Sequence, residues 1–141
     1  MENRSILSKR KDYEMAELCV GIQGTCRVEV TNDLSAKSIK SGTLDVLATP
    51  AVVALAEECA WKSVQPYLEN GLGTVGISVD MKHIAPTPVG REVVCRTELT
   101  HLEGRKMTFS FRVSDSVQEI AFGTHNRFIV NEDEFMAKAV K

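Results

Sequence analysis

From residue 74 onward, apolar and polar positions alternate with period two through four successive runs. Val75, Ile77, Val79 and Met81 alternate with Thr74, Gly76, Ser78 and Asp80. Val93, Cys95, Thr97 and Leu99 share one parity in the second run, and Met107, Phe109, Phe111 and Val113 in the third. Ile120, Phe122, Thr124, Asn126, Phe128 and Val130 make the fourth. Such alternation marks strands that lay one face on a core. Gly104-Arg105 and Ser114-Asp115-Ser116 supply turns between them. An earlier stretch, Leu18 to Val30, fits a further strand, with Gly21 and Gly24 weakening it or marking a bulge. Asn32 to Gly42 reads as a polar connection, and residues 1–12 as a polar, frayed lead-in.

Ahead of the four runs the period is helical. Thr49-Pro50 opens a predicted helix, with threonine suited to the N-cap and proline to the next position. The helix runs to about Tyr67, before the turn Glu69-Asn70-Gly71. Val53, Ala54, Ala60, Trp61 and Val64 cover one side, and Val52, Leu55 and Cys59 the opposite side, as in a buried helix. Strand, long helix, then four antiparallel strands predict a single α+β domain over residues 1–141, a curved antiparallel sheet wrapped around one central helix. The hotdog fold is one of several arrangements with that order.

Two polar residues stand out against this pattern. Glu57 has Pro50, Val53, Ala54, Ala60, Trp61 and Val64 as its helical neighbours, all apolar. A carboxylate on such a face must be paired, hydrogen-bonded or open to a cleft. His83 shares parity with Val75, Ile77, Val79 and Met81 and closes that strand before Ala85-Pro86-Thr87-Pro88. An acid and an imidazole entering one helix–sheet interface suit general acid–base chemistry if they meet. Thr49 lies eight residues before Glu57 on the same side of the helix, where free N–H groups favour developing negative charge. Gly76 is placed to let a ligand approach the backbone. Plainer readings stay open beside these: Thr49 as a cap, Glu57 and His83 as a structural pair, Gly76 as a bulge or packing glycine. His101 reads as an edge residue, and His125 as a surface or dimer-face residue. Glu58 sits near Lys62 and Gln65 and reads as solvated.

Composition narrows the classes. The 141 residues are 43% hydrophobic and 26% charged, with a formal net charge of −2. That balance carries no nucleic-acid footprint, and the one basic cluster, Lys9-Arg10-Lys11, reads as a solvated stretch. No apolar run is long enough to cross a bilayer, and the N-terminus leads into no apolar signal segment, so the expectation is a cytoplasmic protein. Cys19, Cys26, Cys59 and Cys95 form no CxxC pair and read as reduced thiols, mostly buried. No histidine spacing of a metal enzyme, GxSxG, Walker A or dinucleotide fingerprint is present; no metal and no cofactor are expected.

The stretch from Leu47 to Arg127 resembles the fluoroacetyl-CoA thioesterase-like group of hotdog proteins. The resemblance is carried by LATPAVVALAEECA, PYLENGLGTVG, the histidine before IAPTPVG, TELTHLEGRKMTFSFRVSD and EIAFGTHNR, with a tail like NEDEFMAK. It implies an acyl-CoA thioesterase with Thr49, Glu57 and His83 as the catalytic set, the same residues the pattern isolates. It also points to Gly76 as a backbone contact to the thioester and to Arg127 as a nearby contact, although Arg127 falls opposite Phe122 and Phe128 in parity. It implies a homodimer with sites at the subunit interface, and coenzyme A entering as part of the substrate. The fluoroacetyl-specific enzyme carries a phenylalanine gate just before the helix. Ser41-Gly42-Thr43-Leu44 here holds no aromatic residue, so a broader or different small or medium acyl group is expected. A hotdog module that binds acyl-CoA without hydrolysing it, a hydroxyacyl-thioester dehydratase and a purely structural oligomerisation domain are the competing expectations.

Overall fold

The computed structural model describes residues 17–141. The frayed lead-in at 1–12 and the cluster Lys9-Arg10-Lys11 lie outside the described residues. Five strands, β1 (Gln23–Glu29), β2 (Leu72–His83), β3 (Glu92–Glu103), β4 (Lys106–Asp115) and β5 (Glu119–Asn131), form one antiparallel sheet in the order β1-β3-β4-β5-β2. The short helix α1 (Ala36–Ile39), the long helix α2 (Thr49–Val64) and the terminal helix α3 (Glu132–Ala139) complete it.

Helix α2 lies against the sheet. It buries Ala51, Val52, Leu55, Ala56, Cys59, Ala60 and Val64, and β3 and β4 meet it with Val93, Cys95, Leu99, Met107, Phe109 and Val113, all at 0% exposure. Each large apolar side chain removed from water in this way contributes about 1.5–3 kcal/mol. The opposite side of α2 is not buried within the chain. Ala54 is exposed, Glu57 is half-buried and Trp61 is 38% exposed. Expecting a helix covered all round therefore overstates what one chain buries.

Several local expectations change. Helix α2 ends at Val64, and Gln65–Tyr67 continue as a 3-10 turn. Ala48 takes the N-cap position without a side-chain bond, so Thr49 is the first helical residue and not the cap. The polar connection 32–42 contains a 3-10 turn (Asn32–Leu34) and α1, whose N-cap Ser35 accepts from the Ser38 N–H. Strand β1 starts only at Gln23, because Gly21 turns the chain at φ +102. Gly24 is where α2 crosses: a Cβ there would lie 2.8 Å from Ser63 Cβ and 3.0 Å from the Cys59 carbonyl oxygen.

The largest departure is on β2. Its register against β5 shifts between Gly76, opposite Arg127, and Ser78, opposite Asn126, leaving Ile77 as the extra residue of a bulge. Val79, Met81 and His83 keep the expected inward parity beyond it. Before it, Thr74 and Gly76 face α2, while Val75 lies opposite the outward Phe128 and Ile77 is 55% exposed. On β5 the apolar parity is likewise misleading. Phe122 and Phe128 stand on the outer face at 38% exposure, and the inner face carries Ala121, His125 and Arg127. The four cysteines are free thiols, Cys59 and Cys95 buried, Cys26 half-buried and Cys19 exposed. Among the described residues no helix is long and apolar enough to cross a membrane.

Candidate active site

One face of α2 gathers a polar group at its N-terminal end and another at its middle. At the N-terminal end, Thr49 Oγ1 lies 2.8 Å from Nδ1 of His83. Because Ala48 occupies the cap position, the threonine hydroxyl is free to reach across to the end of β2. His83 Nε2 is out of contact with solvent and has no hydrogen-bond partner among the described residues. Burial lowers the pKa of the ring, partly opposed by the Ala85 backbone, so the neutral imidazole is the favoured form near pH 7. A cavity of about 290 Å³ adjoins this pair, lined by Ser41, Leu47, Thr49, His83 and Pro86 among others.

Two turns along, Glu57 Oε2 lies 3.3 Å from Arg127 Nη1 and 3.9 Å from His125 Nε2. Arg127 is 6% exposed, and a buried guanidinium requires partners. It donates through Nε to Thr74 Oγ1 (2.8 Å) and through Nη2 to the Thr74 carbonyl (3.0 Å). Burial pulls its pKa below the ordinary value against the attraction of Glu57, and arginine stays charged throughout. Gly76 lies directly beneath the carboxylate, where a Cβ would overlap Glu57 Oε2. The bulge turns Gly76 toward α2. Glu57 keeps 39% of its side chain exposed. A cavity of about 270 Å³ beside it is lined by Trp61, Gln65, Thr74, Arg127 and Glu132. A larger cavity of about 500 Å³, lined by Arg96, Arg112 and Phe122 among others, touches neither group.

The structure thus brings Thr49 to His83, and Glu57 to Gly76 and Arg127, but does not join the two sets within one chain. Eight helical residues separate Thr49 from Glu57, a rise of about 12 Å. The imidazole that approaches Glu57 is that of His125, which is 1% exposed, not the surface or dimer-face residue expected. Alternation could have found it, since His125 and Arg127 share parity with Ala121 and Ile129. The apolar residues of the other parity hid that signal. Glu58 pairs with Lys62 at the surface, as its position suggests.

The model of the FlK family, described as fluoroacetyl-CoA-specific thioesterase, matches residues 30–133. The fluoroacetyl-CoA thioesterase of Streptantibioticus cattleyicolor is 37% identical over 94 residues, covering 67% of this chain and 68% of the relative. A solved structure of the fluoroacetyl-CoA thioesterase FlK superposes with a TM-score of 0.84 at 30% identity, over 88% of this chain and 96% of that one. A hot-dog-like protein from Thermanaerovibrio acidaminovorans shares the fold at 19% identity, with a TM-score of 0.78 over 85% of this chain and 89% of that one.

Proposed function

The chain belongs to the fluoroacetyl-CoA-specific thioesterase family of hotdog proteins, a thioester hydrolase acting on acyl-CoA, and we propose that its active site is built by two copies, with Thr49 and His83 of one facing Glu57, Gly76 and Arg127 of the other. The observation that carries this reading is the separation of about 12 Å between two halves that each have the chemistry for part of one reaction. Strand β2 is an edge of the sheet among the described residues, and an unpaired edge bearing the exposed Ile77 is a template for a second strand. Antiparallel pairing of two β2 edges sets the His83 end of one beside the Gly76 end of the other. It also covers the exposed side of α2 around Ala54 and Trp61. A buried ring nitrogen without a partner costs about 1–3 kcal/mol, which a substrate or partner group at His83 Nε2 would recover.

In that arrangement Glu57 attacks the thioester carbonyl or takes the proton from an attacking water. Arg127 and the backbone at Gly76 hold the carboxylate and the acyl group close. In the water route Glu57 passes the proton it has taken to the departing thiolate. In the nucleophilic route the neutral His83, oriented by Thr49, takes the proton of the water that cleaves the anhydride and passes it to the thiolate, freeing the acid and Glu57. The acyl group is small or medium. The segment Ser41–Leu44 before α2 offers no aromatic gate, and Leu44 stands 66% exposed, so fluoroacetyl selectivity does not carry over.

Mixed dimers test the arrangement. Glu57→Gln and His83→Ala each abolish thiol release from short acyl-CoAs when present in both copies. A Glu57→Gln chain paired with a His83→Ala chain regains one intact site, about half of wild-type turnover. Mixed dimers as inactive as the parents place the whole set in one chain and overturn the shared site. Near-wild-type turnover by the folded Glu57→Gln dimer overturns the catalytic role of the carboxylate.

A further inference from the structure

His125 lies inside the helix–sheet interface, and its hydrogen bonds fix its chemical form. Nδ1 is 2.8 Å from the carbonyl oxygen of Ser78, and a carbonyl only accepts, so Nδ1 carries the proton. Nε2 is 3.1 Å from Nη1 of Arg127, and a guanidinium only donates, so Nε2 presents its lone pair. The ring is therefore the neutral Nδ1–H tautomer, and its 3.9 Å approach to Glu57 Oε2 is no ion pair. Burial lowers its pKa; the Ser78 carbonyl opposes this, the charge of Arg127 adds to it and that of Glu57 opposes it. Phe109 stacks on the ring, centroids 6.2 Å and planes 28° apart, and sets its plane.

The hydrogens of the guanidinium divide accordingly. Nε and Nη2 each donate to Thr74, and Nη1 has two hydrogens, one for His125 Nε2 and one for Glu57 Oε2 at 3.3 Å. The direction of the bond to Glu57 is thus set by the acceptor on the other side of Nη1. We infer that His125 is a positioning residue for thioester hydrolysis: acting through Arg127, it holds the Glu57 carboxylate in place above Gly76. This rests on the reading of Glu57 as the catalytic carboxylate. Packing alone would make no demand for an acceptor atom on the ring edge that faces Arg127.

The test uses the dimeric enzyme with an acyl-CoA that it hydrolyses, each variant checked by thermal melting and size exclusion. His125→Phe lowers kcat about thirtyfold and leaves KM within about threefold. His125→Gln, whose side-chain oxygen can accept from Arg127, recovers at least about tenfold of that loss. In an Arg127→Met background the same His125→Phe change costs less than about threefold, because two residues acting as one unit are not additive. A folded His125→Phe enzyme with wild-type kcat, a glutamine variant no better than phenylalanine, or a full-sized loss in the Arg127→Met background each overturns the inference. Should His125→Phe fail to fold, His125→Asn replaces it, since its amide reaches Ser78 but stops short of Arg127, and the same outcomes apply. Glu57→Gln run in parallel separates the two claims. Wild-type turnover there removes the catalytic reading itself, whereas loss there with normal His125→Phe kinetics removes this inference alone.

Discussion

Gly76 and Glu57 meet so closely that a methyl group on Gly76 would overlap the carboxylate oxygen Oε2. The same methyl would lie 3.3 Å from Arg127 Nη1 and 3.4 Å from His125 Cε1, so Glu57, Arg127 and His125 all crowd one backbone position. Glu57 is the flexible end of a long side chain and gives way more easily than the strand. Gly76→Ala therefore displaces the carboxylate and leaves the fold standing. Turnover falls about ten- to a hundredfold, as for misplacement of a reacting group, while stability changes by less than about 1 kcal/mol. Steady-state kinetics beside thermal melts on one preparation check the split; a stability loss with normal turnover contradicts it.

Thr49 separates two roles that its place in the sequence confounds. Because the cap position belongs to Ala48, Thr49→Val forfeits no cap, and its stability cost stays below the ~1 kcal/mol typical of a lost one. The bond to His83 is lost, and kcat falls about a hundredfold. Thr49→Ser, which keeps the hydroxyl, retains most of the activity.

Stability should weaken on the acid side. His83 and His125 both have pKa values lowered by burial. As pH drops below about 6.5 the unfolded chain takes up protons that the native chain refuses, and stability declines down to the native pKa values. Asp115 adds to the decline at lower pH. Burial opposes ionisation there, but the N–H groups of Val117 and Gln118, with Arg91 and Thr87, hold its carboxyl below the ordinary value. Melting temperatures measured from pH 8 to 4.5 stay level above pH 7 and fall below 6.5. His125→Gln removes one contribution and flattens the upper part of the decline.

Ile77 reports on assembly. Replacing it by lysine puts a charge on the β2 edge, where it opposes strand addition. Size exclusion then shows monomers, and thiol release falls in proportion to the dimer lost. A fully active Ile77→Lys monomer would contradict a shared site.

Much of the architecture is legible in the sequence. Strands β3 and β4 alternate without interruption from Val93 to Leu99 and from Met107 to Val113, with register shifts only past those stretches, and every inward residue foreseen there is buried. The helix is found because Thr49-Pro50 and Glu69-Asn70-Gly71 bracket one helical period. What the pattern misses sits at the polar groups. On β5 the aromatic residues face outward, with Phe122 against the Arg112 guanidinium at 6.0 Å, and the inner face is given to His125 and Arg127. On β2, alternation is read as one phase although the bulge divides it into two. The acid and imidazole singled out in the sequence, Glu57 and His83, do not meet within one chain: His83 is held by Thr49, and Glu57 by Arg127. Periodicity describes a single chain's interior and is silent about what a second copy brings. Local rules fail here where polar function displaces apolar packing.

The extra residue at Ile77 makes β2 a phase shifter. Upstream of it, even-numbered positions look toward the helix; downstream, odd-numbered ones do. The strand consequently carries two separately addressable halves, one cradling the carboxylate and one ending in the imidazole. Substitutions at Thr74 or Gly76 can reshape the carboxylate end while the Thr49–His83 end keeps its alignment, whereas deleting Ile77 would remove the bulge and fuse both halves, their inward faces kept, into one unbroken alternation.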